Sequence, residues 1–64
     1  MKITINGTGA DVRAETLAAL LDELGYGGAK IATAVNERFV PATARDVAIA
    51  PGDRIEIVAP RQGG

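Results

Sequence analysis

The side chains that most often do chemistry are missing from this sequence. It has no cysteine and no histidine, which removes a thiol nucleophile, a thiolate metal site, the usual general base and the commonest metal ligand. No nucleophile–base pair can be assembled from what remains. Asp22 and Glu23 are adjacent, so on a helix they point different ways and read as a solvated face rather than a paired acid and base. Asp53 lies in the turn Pro51-Gly52-Asp53 and reads as a structural hydrogen-bonder. Gly7-Thr8-Gly9 lacks the third, helix-opening glycine of a dinucleotide fingerprint. Gly27-Gly28 leads into a strand, where a phosphate cradle would need a helix.

One group is left. The sequence closes with Arg61-Gln62-Gly63-Gly64, and the carboxylate of Gly64 is expected to be the working group. Gly63 and Gly64 have no Cβ, so the end can thread a narrow channel, with Gly63 giving clearance and nothing shielding the final carbonyl. A free α-carboxyl has a pKa of about 3.5, is an anion at neutral pH and is a poor electrophile. It must be activated from outside, most simply by ATP on a partner enzyme. The bland alternative is a frayed terminus.

A carboxylate on a stalk needs a rigid base. Ile55 and Ile57 alternate with Glu56 as in a half-buried strand, which Pro60 ends because it cannot donate to a ladder. Four extended residues beyond it reach roughly 13 Å. Upstream, Ile3 and Ile5 alternate with polar neighbours over Met1–Asn6, and Gly7-Thr8-Gly9 turns the chain into a second strand over Ala10–Ala14 with Val12 inward. Leu17, Leu20, Leu21 and Leu24 form one helical stripe over Thr16–Leu24, opened by Glu15 or Thr16, stopped at Gly25 and expected to bury against the sheet. Tyr26–Lys30 reads as a loop and Ile31–Val35 as a strand. Asn36-Glu37 reverses the chain into Arg38-Phe39-Val40, since asparagine tolerates a positive φ. Ala42–Ala50 reads as irregular, with a short strand at Val47 and Ile49.

Composition sets the class. Sixty-four residues make one small domain whose 47% hydrophobic content includes twelve alanines, so its stability is expected to be a few kcal/mol. The net charge of −1 and the scarcity of aromatics, Tyr26 and Phe39 alone, argue against nucleic-acid and membrane partners. With no signal peptide or apolar span in view, a cytoplasmic location is expected. The order strand, strand, helix, strand, strand, strand fits an α+β, β-grasp (ubiquitin-like) domain, a mixed sheet of four to five strands on one helix over residues 1–60, followed by a tail over 61–64.

The stretches Val35-Asn36-Glu37-Arg38-Phe39-Val40-Pro41, Pro51-Gly52-Asp53-Arg54-Ile55-Glu56-Ile57-Val58 and Gln62-Gly63-Gly64 resemble the ThiS sulfur-carrier family of thiamine biosynthesis. The resemblance implies that Gly64 is adenylated by an adenylyltransferase of the ubiquitin-activating type, which uses the ATP. It further implies that a persulfide charged by a cysteine desulfurase converts Gly64 to a thiocarboxylate, from which thiazole synthase takes sulfur. The chain itself would bind no cofactor and catalyse nothing, as befits a group carrier. A diglycine alone offers little selectivity, so partner contacts are expected on the folded surface. Phe39 and Val58 are the apolar candidates, although the core is the expected home of Phe39. Arg61 either meets an acid at a partner's channel mouth or keeps the tail soluble, with Gln62 beside it. A carrier for molybdopterin synthase or tRNA thiolation, a protein modifier and a plain interaction module are the rivals.

Overall fold

The computed structural model describes residues 1–27 and 30–59. In chain order the elements are β1 (Lys2–Ile5), β2 (Thr8–Asp11), α1 (Leu17–Glu23), β3 (Ala32–Val35), β4 (Arg38–Val40), a 3-10 turn at Ala42–Ala44, and β5 (Arg54–Val58). The sheet runs β2-β1-β5-β3-β4. β5 is central, parallel to β1 and antiparallel to β3, and the two hairpins β1–β2 and β3–β4 form the wings. This mixed sheet with one helix across it is the expected β-grasp arrangement.

Both hairpins close with two residues at positive φ, as the right-handed twist of the strands requires. In the first these are Asn6 (φ 51) and Gly7 (φ 83). The turn therefore falls one residue earlier than the glycine pair suggested, and β2 occupies Thr8–Asp11 instead of Ala10–Ala14. Val12 nevertheless points inward, just past the strand end. In the second hairpin the pair is Asn36 (φ 51) and Glu37 (φ 70), as read from the sequence.

The helix is short and most of the backbone groups at its ends find partners. Thr16 caps it, its hydroxyl accepting from the Ala19 N–H at 3.1 Å. The β4–β5 connection supplies the remaining acceptors: Val47 O for Leu17 N–H at 3.0 Å and Arg45 O for Ala18 N–H at 2.7 Å. At the other end Gly25 (φ 87) turns the chain so that Gly25 N–H reaches Asp22 O and Tyr26 N–H reaches Leu21 O, a Schellman closure. Leu17, Leu20 and Leu21 are buried, while Leu24 falls at the C-cap and is partly exposed, so the stripe loses its last member.

Those leucines meet Ile3, Val12, Ala14, Val40, Ile49, Ile55 and Ile57 in one core. Val47 stays outside it, and the expected strand at Val47 and Ile49 is only an isolated bridge between Thr16 and Ala48. Thr33 is the single buried polar side chain among the described residues. Its hydroxyl donates to Val40 O at 2.9 Å and accepts from Arg45 Nε at 3.3 Å, while Arg45 Nη2 donates to Ile31 O at 2.6 Å. Glu23 is exposed, as expected of a solvated face, yet its carboxylate accepts from the backbone N–H of Arg13 and Ala14 and ties the β2–α1 connection to the helix.

Candidate functional site

β5 is the element that would carry the tail, and it is held from both sides. Ile55 and Ile57 enter the core while Arg54, Glu56 and Val58 stay on the open face. Along β3 the pairing runs from Val35↔Ile55 to Ala32↔Val58, the full length of β3. Along β1 it stops at Ile5↔Ile55, where β1 turns away. Asn6 then continues that edge with its side chain. Its Nδ2 donates to Ile57 O at 3.1 Å and its Oδ1 accepts from Ile57 N–H at 2.8 Å. This carboxamide stands in for a strand residue next to the end of β5. The turn expected at Gly7-Thr8-Gly9 misses Asn6; the dipeptide Asn6-Gly7 is a turn signal that could have found the position, but not the bond made across 51 residues of sequence.

The start of β5 is fixed in the same way by Asn36. Its Oδ1 accepts from Arg54 N–H at 2.9 Å and its Nδ2 donates to Asp53 Oδ1 at 3.0 Å. Asp53 Oδ2 accepts from Ala50 N–H at 2.8 Å, the structural role expected of it. Asn36 thus does more than form a turn.

The sheet face opposite the helix carries the two apolar candidates. Phe39 pairs with Ala34, and Val58 with Ala32, on strands to either side of β3. Two strand spacings and a two-residue offset along β3 place them roughly 12 Å apart. Phe39 is 69% exposed and Val58 is 61% exposed, with the small side chains of Ala32 and Ala34 between them. The core was the expected home of Phe39, and that expectation is corrected. The register turns its neighbour Val40 inward opposite Thr33, so Phe39 must face out. The patch borders the last described residues of β5. Gly63 and Gly64, with Arg61 and Gln62, lie outside the described residues. Among the described residues no group of three or more acidic, histidine or cysteine side chains is placed to hold a metal ion, and no helix is long and apolar enough to cross a membrane.

Comparison with known proteins bears on this arrangement. The sequence pattern of the ThiS family matches residues 3–64, nearly the whole chain. The chain belongs to the ThiS family. Its fold superimposes on the crystal structure of the thiamine biosynthesis protein ThiS from Geobacter metallireducens with a TM-score of 0.82, at 28% identity and with 100% of both chains covered. A curated relative is a thiazole synthase from Paramagnetospirillum magneticum, 42% identical over 66 residues. The match takes in 100% of this chain and 20% of that protein, so the chain spans about a fifth of its relative's length. The ThiS family assignment accounts for the β-grasp sheet, which is kept at 28% identity to the solved member.

Proposed function

We propose that this chain is a sulfur carrier for thiazole formation in thiamine biosynthesis, with Gly64 as the loaded residue. The Gly64 carboxylate attacks the α-phosphate of ATP on a partner adenylyltransferase, pyrophosphate leaves, and an acyl adenylate forms. A persulfide charged by a cysteine desulfurase attacks the acyl carbon and AMP departs. A second thiol of the partner then reduces the acyl disulfide and leaves a thiocarboxylate. Thiazole synthase receives that sulfur. Every catalytic group in the sequence belongs to a partner, and the chain supplies the acyl end and a surface by which it is chosen.

The observation that carries this reading is the relative: a stretch 42% identical to the whole chain sits within a protein named thiazole synthase. Carrier and synthase sequences that share one polypeptide have chemistry to share. The patch of Phe39 and Val58 supports it as well, since two exposed apolar side chains beside the base of the tail offer the desolvated contact that a diglycine cannot.

The test is intact-mass analysis of the chain after incubation with ATP, the adenylyltransferase and hydrosulfide, which displaces AMP directly without a redox step. Exchange of one oxygen for sulfur at Gly64 is the expected result. Conjugates to lysine with no such exchange would replace the carrier with a protein modifier.

A further inference from the structure

The two hairpin turns are alike in backbone and differ in one chemical respect. Both open with an asparagine at φ 51, but Asn6 is followed by Gly7 and Asn36 by Glu37. When an asparagine carboxamide is attacked by the backbone nitrogen of the next residue, a cyclic imide forms and ammonia leaves. Water then opens the imide to aspartate or isoaspartate. A Cβ on the following residue crowds that ring closure, and glycine has none. Asn6 is therefore the reactive asparagine of the pair, with Asn36 as an internal control.

The structure places this reactive amide where its loss has a consequence. Both polar atoms of the Asn6 carboxamide are engaged by Ile57, at 3.1 and 2.8 Å, and the backbone N–H of Asn6 donates to Ile55 O at 2.8 Å. In this state the carboxamide is held by Ile57, beside a turn closed by the pairing of Ile5 with Thr8. Deamidation exchanges Nδ2 for an oxygen. A donor to Ile57 O becomes an anionic acceptor facing another acceptor, so the bond is lost and replaced by repulsion. Isoaspartate also inserts a methylene into the backbone of a two-residue turn, which breaks the register of β1 and β2.

We propose that Asn6-Gly7 is a spontaneous modification site, protected by the fold, whose deamidation unclamps the outgoing end of β5. The bonds to Ile57 shield it while the hairpin is closed. Each opening of the β1–β5 edge exposes it, and the product cannot restore the bond to Ile57 O. The damage is irreversible and accumulates with the time the chain spends open. This holds whatever the tail does, and its test involves no sulfur chemistry.

The experiment follows deamidation in mildly alkaline buffer by peptide mapping that separates aspartate from isoaspartate, for the folded chain and for the chain held unfolded in urea. Conversion at Asn6 is expected to be slower in the folded chain by about tenfold or more, the protection that even a local opening of modest free energy confers. Asn36 is expected to lag behind Asn6 in the urea arm, and Gly7→Ala to slow Asn6 there, where turn strain plays no part. Asn6→Asp keeps an acceptor for the Ile57 N–H but loses the donor to Ile57 O, and is expected to lower the thermal midpoint. Asn6→Gly keeps the turn backbone, removes both bonds and must speed hydrogen exchange at the Ile57 N–H. Equal rates at Asn6 in both arms, conversion at Asn36 as fast as at Asn6, or an Ile57 N–H as protected without the Asn6 carboxamide as with it would overturn the proposal.

Discussion

Asn36 and Asp53 bind each other across 17 residues of sequence, Nδ2 to Oδ1 at 3.0 Å, and so fasten the β3–β4 turn to the turn that launches β5. The same asparagine receives Arg54 N–H and holds the backbone at φ 51. Removing the side chain while keeping the backbone freedom, as in Asn36→Gly, is expected to cost about 1 kcal/mol. Asn36→Ala should cost about 1 kcal/mol more, because alanine resists the left-handed region. Urea denaturation of the two variants separates the terms. Equal losses would mean that the turn conformation contributes nothing.

Glu37 is the strained member of the same turn, at φ 70. Its carboxylate is 3.9 Å from Arg54 Nη2, an exposed pair that contributes little. Glu37→Gly creates the Asn-Gly sequence that this turn type prefers and is expected to stabilise the chain by about 0.5 kcal/mol. A rise of a few degrees in thermal midpoint would be seen, on the order of 4–8 °C per kcal/mol for a domain of this size. A fall would show that the ion pair outweighs the strain.

Leu20 is fully buried where the helix meets the sheet. Leu20→Ala is expected to cost about 3 kcal/mol, most of the stability of so small a domain. Thermal unfolding followed by far-ultraviolet circular dichroism should show a much lowered midpoint and a substantial unfolded fraction at room temperature. A cooperative transition close to that of the parent would mean that the core can collapse around the gap.

Phe39 and Val58 contribute little to the fold because they are largely exposed. Phe39→Arg and Val58→Arg are expected to shift stability by no more than about 0.5 kcal/mol. Affinity for the adenylyltransferase or for thiazole synthase is expected to fall by about tenfold or more. Titration calorimetry against each partner checks this, and unaltered affinity for both would remove the patch from the docking surface.

Much of the fold was legible because period and punctuation agree. Ile55 and Ile57 alternate, the leucines recur at helical spacing, and Asn36-Glu37 and Gly25 mark reversals that the backbone makes. What escaped did so for physical reasons. In a three-residue strand such as Arg38-Phe39-Val40, two adjacent apolar residues compete for the inward position, and only pairing with Thr33 decides for Val40. Leu24 keeps the stripe's spacing but falls at the C-cap, where the helix no longer aims it at the sheet. The bonds of Asn6 to Ile57, of Glu23 to Arg13 and Ala14, and of Arg45 to Ile31 join residues far apart in sequence, and no local pattern records them. The expectation of a working carboxylate at Gly64 rests on residue types, a glycine pair in a sequence without cysteine or histidine, while its adenylation and sulfuration rest on the resemblance to the ThiS family.

The most direct measurement is a single turnover. The chain is first converted to the thiocarboxylate with radiolabelled sulfur, purified away from ATP and the adenylyltransferase, and mixed with thiazole synthase and its remaining substrates. Label is expected to pass into the thiazole in proportion to the carrier consumed, with Gly64 returning to a carboxylate. Label that stays on the chain, or thiazole formed at the same rate from free sulfide without it, would contradict a sulfur-carrying Gly64.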